Sequence, residues 1–232
     1  MPVLTISGQP GAGAHEVGRL VAGHLDIDYV DQEILVEAAR ELGVPVQAVV
    51  THDERTAGLG ERLANMLRRF LESSAAAGTG DPMFGTGGLD AVLSRSYAEA
   101  AADEGTHEIS DEQYLKALRG IVEDLAEHDN VVIIGRGSQV ILRDYPVAVH
   151  VLLVAPLEQR IAATAARDSV SAEAAEKRVH ERDKGRSSFH SKFFKVEVDA
   201  AALYHVALNT GRLSYEQAAD AITVIARGRT RA

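Results

Sequence analysis

The chain of 232 residues contains no cysteine and no tryptophan. Without cysteine it has no disulfide bond, no thiolate nucleophile and no cysteine-ligated zinc site. No apolar run approaches the roughly 18 residues of a membrane-spanning helix, and no basic segment followed by a signal-type apolar stretch opens the chain. The sequence therefore predicts a cytoplasmic protein that does not bind a membrane.

Positive charge is also scarce. The chain has 24 Lys and Arg residues against 34 Asp and Glu residues, which gives a net charge of −10. Nucleic acids and anionic membranes both require a positive footprint, so neither is an expected partner. Apolar residues make up 46% of the chain and charged residues 25%, as in ordinary globular proteins. A local group of arginines can still hold a small phosphorylated ligand.

Short apolar runs alternate along the chain with segments of helical periodicity. This alternation predicts an α/β fold in which helices cover both faces of a parallel sheet. The predicted strands are Val3–Ile6, Ile27–Val30, Val131–Ile134, Val147–Val154 and His205–Leu208. The predicted helices are Ala14–Leu25, Gln32–Leu42, Leu59–Leu71, a helix that follows Ser110, Leu157–Arg167, Ala172–Lys184 and a helix that follows Ser214. Residues 73–88 are small and turn-rich, which predicts a flexible loop.

A glycine-rich segment, "GQPGAG", lies between the first predicted strand and an amphipathic helix. Its spacing matches the G-x-x-x-x-G of a phosphate-binding loop, in which backbone N–H groups point at phosphate oxygens. The next two positions are Ala14 and His15, where such a loop normally carries a lysine and a hydroxyl. Ala14 supplies neither the positive charge nor a magnesium ligand. A strand-to-helix turn without a ligand is the alternative interpretation of the segment.

The C-terminal half resembles cytidylate kinases, in particular the cytidylate kinase-like family of bacteria. The matching segments are "VVIIGRG", "DYP", "APLEQRI", "ERDKGR" and "LNTGRLSYEQAADAI", in that order. At the N-terminus, "ISGQPGAGAHEVGRLVAGHL" and "YVDQEIL" look like the opening of the same family. The resemblance covers residues 3–42 and about 110–226. Members commonly lack the loop lysine and tend to carry an arginine where this chain has His15.

The resemblance implies a P-loop nucleoside monophosphate kinase-like enzyme, which transfers the γ-phosphate of ATP, with Mg²⁺, to CMP, dCMP or a related nucleotide. It implies one domain over residues 1–232. The expected parts are a core at about 1–42 and 129–228, a helical insert with a flexible loop at about 43–128, and a helical lid at about 178–200. No residue is identified as a metal ligand. The sequence leaves a homo-oligomer open.

The resemblance also implies a role for each matching residue. The ATP phosphates would be bound at Gly8, Gly11, Ala12, Gly13, Ala14 and His15. The acceptor would be bound by Asp31, Arg136 and Asp183, and the residues Arg136, Arg182 and Arg186 would be catalytic. Arg136 directly follows an apolar strand, at the sheet edge where ligands bind in open α/β folds. Arg182 and Arg186 are four residues apart, so they share a helix face and are expected to close together over phosphates.

Each of these residues also has a plain structural interpretation. The alternative for Arg136 is a salt bridge with a neighbouring helix, and Asp31 is equally suited to a helix cap. The segment "ERDKGR" reads on its own as a solvated helix surface. Cytidylate kinases usually carry an aspartate where this chain has Ile134. Together with Ala14 and His15, this departure keeps a second hypothesis open, a catalytically degenerate nucleotide-binding or regulatory protein.

Overall fold

The computed structural model describes residues 2–33, 35, 36, 93, 95–102, 110–127 and 130–229. Among these residues the strands are β1 (Val3–Gly8), β2 (Asp28–Val30), β3 (Val131–Ile134), β4 (Ala148–Val154) and β5 (Val206–Asn209). The α-helices are α1 (Ala14–Leu25), α2 (Tyr97–Ala101), α3 (Asp111–Glu127), α4 (Ser138–Ile141), α5 (Leu157–Asp168), α6 (Ala172–Phe194) and α7 (Tyr215–Arg229). A 3₁₀-helix spans Ala201–Leu203.

The five strands form one parallel sheet in the order β2-β3-β1-β4-β5. The central strand β1 is in register with β3 through Val3 and Val131, and with β4 through Val3 and Ala148. Because all strands run the same way, their carboxyl ends meet at one edge of the sheet. In open α/β sheets, ligands bind at this edge.

Two hydrophobic cores lie on the two faces of the sheet, because successive strand residues point to opposite sides. Val3 belongs to the core that includes residues of α3 and α6, such as Tyr114 and Phe189. Leu4 and Ile6 belong to the core that includes residues of α1 and α7. The expectation of a parallel sheet between two helical layers is therefore confirmed.

The predicted strand positions and the helices adjoining them agree with the structure, with one substantial error. The helix predicted to end at Lys184 continues to Phe194. Gly185 lies inside this helix, at a point where α2 packs closely against it. A Cβ at Gly185 would lie 3.0 Å from the Cβ of Ala98. The glycine thus lies at a close contact between two helices and does not mark a helix end.

The helices predicted to follow Ser110 and Ser214 each begin with a capping box. At Ser110 and again at Ser214, the backbone N–H donates to the glutamine three residues later, and that glutamine's N–H donates to the serine hydroxyl. Most of the predicted helix Gln32–Leu42, the predicted helix Leu59–Leu71 and residues 73–88 lie outside the described residues. The division into core, insert and lid stays a prediction.

Candidate functional site

The glycine loop between β1 and α1 has the backbone of a tight cradle. Gly11 and Gly13 have φ of 84° and 80°, in the left-handed region that suits glycine. A Cβ at Gly11 would lie 2.9 Å from the Cα of Arg160, and a Cβ at Gly13 would lie 2.6 Å from the ring carbon Cζ of Tyr215. Both glycines are therefore required by conformation and by close contacts.

Hydrogen bonds hold the loop in this shape. The backbone N–H of Ala12 donates to the carbonyl of Gln9 over 2.8 Å, and the hydroxyl of Thr210 donates to the carbonyl of Ala12 over 2.9 Å. Gly13 is the N-cap of α1 and has no side chain to bond the first N–H groups of that helix. Such N–H groups have no partner inside a helix, so they can bind an anion.

Arg160 of α5 lies against this loop and is buried, with 8% of its surface exposed. Its Nη1 donates to the carbonyl of Pro10 over 3.4 Å and to both carboxylate oxygens of Asp183, over 3.0 and 2.9 Å. Its Nε is buried and has no hydrogen-bond partner among the described residues. The sequence pattern did not single out Arg160, although it lies in the segment "APLEQRI" directly after a buried strand.

Arg186 of α6 reaches the start of the same loop. It is 5% exposed, and its Nη2 donates to the hydroxyl of Ser7 over 3.0 Å while its Nη1 donates to Asp199 over 2.6 Å. The other oxygen of Asp199 accepts from Gln9 over 3.0 Å. Partial burial opposes ionisation, but the bonds from Gln9 and Arg186 hold the pKa of Asp199 below its usual value. Arg186 thus lies at the start of the glycine loop, and its role at a phosphate site stays a prediction.

Arg182 has a different environment. Its Nη2 donates to Asp168 at the end of α5 over 3.2 Å, and its side chain is about half exposed. Arg178 shares the same carboxylate oxygen at 2.9 Å. In this conformation Arg182 binds Asp168 and Arg186 binds Asp199, so the two guanidinium groups have different partners. That they close together over phosphates stays a prediction. A catalytic role for Arg182 stays a prediction.

Arg136 follows β3 and is 6% exposed. Its guanidinium donates to two backbone carbonyls at 2.9 Å, those of Arg95 and Leu93, and to the hydroxyl of Tyr114 at 3.3 Å. Its backbone N–H donates to the hydroxyl of Tyr97 over 2.6 Å. These bonds give Arg136 a structural role in holding the segment around α2 against the sheet edge. Its assignment to the acceptor stays a prediction.

The backbone around Arg136 is also unusual. Gly135, Arg136 and Gly137 all have positive φ, of 69°, 58° and 69°. A non-glycine residue in this region costs roughly 1–2 kcal/mol, and such residues persist where the surroundings hold them. A Cβ at Gly137 would lie 2.6 Å from the ring carbon Cζ of Phe194. The tight turn thus positions α4 and its N-terminus at the ligand edge of the sheet.

Asp31 follows β2 and is 2% exposed. Its Oδ2 accepts from the hydroxyl of Tyr29 over 2.8 Å and lies 3.2 Å from Nδ1 of His15. The same Nδ1 lies 3.0 Å from the Tyr29 hydroxyl. Burial, reinforced by the Asp31 carboxylate, raises the pKa of Tyr29, so the phenol stays neutral and donates. The sequence predicted both His15 and Asp31 as site residues, and the structure brings them together.

A metal centre built from protein ligands is not found in the part of the chain that the structure describes. No group of three or more His, Asp or Glu side chains there is arranged to hold an ion. Within the same residues, no helix is both long enough and apolar enough to span a membrane.

Comparison with known families identifies the chain as a family member. The model of the cytidylate kinase-like family matches residues 3–212. The chain therefore belongs to the cytidylate kinase-like family. The parallel sheet, its flanking helices and the glycine loop after β1 define an α/β fold of the P-loop kinase type. No curated protein matches the sequence.

Solved structures resemble the chain only distantly in sequence. An uncharacterized protein from Eubacterium ventriosum ATCC 27560 is 15% identical with a TM-score of 0.60, over 98% of this chain and 99% of that chain. The shikimate kinase from Acinetobacter baumannii in complex with shikimate is 15% identical with a TM-score of 0.48, over 98% of this chain and 94% of that one. The shikimate kinase from Bacteroides thetaiotaomicron is 10% identical with a TM-score of 0.49, over 97% and 98%. At these identities, the first similarity supports the fold alone.

Proposed function

We propose that the protein is a nucleoside monophosphate kinase-like phosphotransferase, which moves the γ-phosphate of ATP to CMP, dCMP or a related nucleotide. The observation that carries the proposal is the pair of buried arginines, Arg160 and Arg186, at the glycine loop. Phosphoryl transfer depends mainly on positioning and on neutralising the phosphate charge. A loop that has no lysine needs such cations from elsewhere in the chain.

The loop residues fit a polyphosphate. The left-handed glycines Gly11 and Gly13 and the N-terminus of α1 leave backbone N–H groups free to bind phosphate oxygens. ATP would supply the phosphoryl group, and Mg²⁺ would supply positive charge to it. The described residues offer no carboxylate cluster for the ion, so phosphate oxygens and water would have to make up most of its ligands.

The arginines are held in place before a ligand arrives. Arg186 is fixed by Asp199 and Ser7, and Arg160 is fixed by Asp183 and the carbonyl of Pro10. A fixed guanidinium stabilises developing negative charge without a reorganisation cost. The proposed reaction requires no protein nucleophile or base, because an acceptor phosphate oxygen is already an anion.

The other assigned residues have less direct support. Arg136 would affect the acceptor indirectly, by holding the segment around α2 in place, because its own N–H donors already bind the carbonyls of Arg95 and Leu93. Asp183 is paired with Arg160, so we assign it the ordering of that arginine as well as acceptor binding. Arg182 would reach the phosphates only if it left Asp168 on lid closure.

One observation favours a second function, nucleotide binding without transfer. Each loop arginine faces a carboxylate, Asp183 for Arg160 and Asp199 for Arg186, so part of the positive charge at the loop is already neutralised. Ala14 adds none. A regulatory protein that senses a nucleotide needs the cradle but not the excess charge.

The test is ADP release from ATP and Mg²⁺ with each nucleoside monophosphate in turn, measured against a blank without acceptor. We expect release that depends on CMP or dCMP in the wild type and is slowed by roughly 10²–10³ in Arg186→Ala. Arg178→Ala is the matched control, because Arg178 lies on the same helix and pairs with Asp168 away from the loop. ATP binding without turnover for any acceptor would overturn the kinase proposal and favour the regulatory one.

A further inference from the structure

Tyr97, the first residue of α2, places its hydroxyl at the ligand edge of the sheet. A Cβ at Gly135, directly after β3, would collide with the hydroxyl oxygen of Tyr97. The N–H of Gly135 donates to the carbonyl of Ile6 in the central strand over 3.0 Å. The hydroxyl therefore lies at the carboxyl end of β3, beside the central strand, where ligands bind in open α/β sheets. The tyrosine side chain is only partly buried there.

This hydroxyl can still donate a hydrogen bond. Its oxygen accepts from the backbone N–H of Arg136 over 2.6 Å, whereas its proton has no acceptor among the residues that the structure describes. A tyrosine hydroxyl both accepts and donates, so the proton is available to a ligand. The guanidinium of Arg136 already donates to the carbonyls of Leu93 and Arg95. At this turn, Tyr97 thus offers a donor that the protein does not use itself.

Contacts with α6 hold Tyr97 in place before a ligand arrives. Its ring packs against the rings of Phe189 and His190, with the ring centres 4.9 and 5.9 Å away. Lys192 of the same helix donates to the carbonyl of Ala102, directly after α2, over 2.7 Å. Because both the ring and its helix are fixed, the hydroxyl can donate without a reorganisation cost.

The same contacts place Tyr97 close to the helix turn that carries Arg186. A carbonyl only accepts, so Nδ1–H of His190 donates to the carbonyl of Arg186 over 2.8 Å. The guanidinium of Arg186 reaches Ser7 at the start of the glycine loop. In phosphoryl transfer the acceptor must lie close to the phosphates bound at such a loop. A donor at the sheet edge, packed against this helix, is suited to hold the acceptor.

We propose that the hydroxyl of Tyr97 donates a hydrogen bond to an anionic phosphate oxygen of the acceptor nucleotide. Tyr97 is then an acceptor-binding residue, and the backbone N–H of Arg136 is the group that orients its hydroxyl. No proton is transferred, because the hydroxyl only positions the acceptor phosphate. This assignment rests on the proposed function, since it requires an acceptor that carries a phosphate group.

The test measures the affinities of the full chain for CMP and for cytidine by calorimetry. Tyr97→Phe removes the hydroxyl and keeps the ring packing. It is expected to weaken CMP binding about tenfold and to leave cytidine binding within about twofold, because only the phosphate loses a partner. Tyr145→Phe is the matched control. The Tyr145 hydroxyl donates to the carbonyl of Ala126 over 3.0 Å and precedes β4, at the opposite edge of the sheet, so this variant should bind both ligands as the wild type does.

The outcomes separate this assignment from the proposed function. Unchanged CMP affinity in Tyr97→Phe would overturn the assignment alone. Equal losses for CMP and cytidine would also overturn it, because they would limit the hydroxyl to supporting the turn at Arg136. CMP binding that depends on Tyr97, without ADP release from ATP, would support the assignment and overturn the proposed function. A wild-type protein that binds no CMP would overturn both.

Discussion

Arg186 and Asp199 form an ion pair with an N–O distance of 2.6 Å at the start of the glycine loop. The arginine is buried and the carboxylate is about half exposed, so the pair points the guanidinium inward to Ser7. This geometry holds a positive charge at the loop without a lysine.

Replacing Arg186 tests directly whether its positive charge at the glycine loop is needed for phosphoryl transfer. We expect Arg186→Ala to lower kcat by roughly 10²–10³, as for loss of one preorganised donor. Arg186→Lys keeps the charge but loses the fork between Ser7 and Asp199, so an intermediate loss is expected. Steady-state kinetics with saturating ATP and CMP give both values. Equal activity of Arg186→Ala and the Arg178→Ala control would refute the role.

The conformation of the loop gives a second prediction. Gly13→Ala places a Cβ against the Tyr215 ring at a φ of +80°, so we expect a loss of at least about 2 kcal/mol in the free energy of unfolding. Gly23→Ala is the matched control on the same helix. Nothing lies within 4 Å of its Cβ, so it should be neutral or stabilise by roughly 0.5–1 kcal/mol. Urea unfolding measures both, and equal effects of the two substitutions would contradict the described loop.

The hydrogen bonds of Arg136 predict a structural cost. Arg136→Ala removes one of two side-chain donors to the carbonyls of Leu93 and Arg95, which keep Gln32 as the other, so we expect a total loss of roughly 1–3 kcal/mol in the free energy of unfolding. Arg143→Ala, an exposed arginine after α4, should change stability by less than about 0.5 kcal/mol. Chemical denaturation of the two variants checks this. A fully stable Arg136→Ala protein would show that the arginine serves the ligand and not the fold.

Two buried histidines predict acid sensitivity. Burial lowers the pKa of both His150 and His190 to about 4, whereas an unfolded chain titrates near 6.5. Below pH 6.5 the unfolded chain therefore binds protons that the folded protein does not, so stability falls as the pH drops from about 6.5 to 4. The linkage relation gives up to about 3 kcal/mol for each residue.

The measurement is the melting temperature between pH 7 and 4.5. His190→Gln and His150→Gln should each flatten the dependence, while His180→Gln, an exposed histidine on α6, should leave it unchanged. The pKa values of Asp168 and Asp199 are lowered by their arginine partners, so these two carboxylates titrate below this window. A melting temperature independent of pH in this range would contradict the assignment.

The sheet and the loop could be predicted from sequence because their signals are local. Short apolar runs predicted the strands, and the spacing of Gly8, Gly11 and Gly13 between a strand and a helix predicted the glycine loop. The end of α6 was misjudged, since the reason for Gly185 is the neighbouring Ala98, which lies 87 positions earlier in the printed sequence and leaves no local mark.

The site depended more on tertiary contacts. His15 and Asp31 were each predicted, but their contact forms only when β2 returns beside α1, so no pattern indicated it. Arg160 was missed because its approach to the loop depends on how α5 packs against Gly11. Arg182 and Arg186 lie in one sequence motif, and only their tertiary partners distinguish them. Arg182 binds Asp168, whereas Arg186 binds Ser7.

The most direct test of the central claim is product formation. The wild-type protein is incubated with ATP, Mg²⁺ and CMP, and the nucleotides are separated and quantified. We predict that CDP and ADP appear in equal amounts and that both form roughly 10²–10³ times more slowly in Arg186→Ala. Folded protein that binds ATP but yields no CDP, and no diphosphate from any other nucleoside monophosphate, would contradict the account.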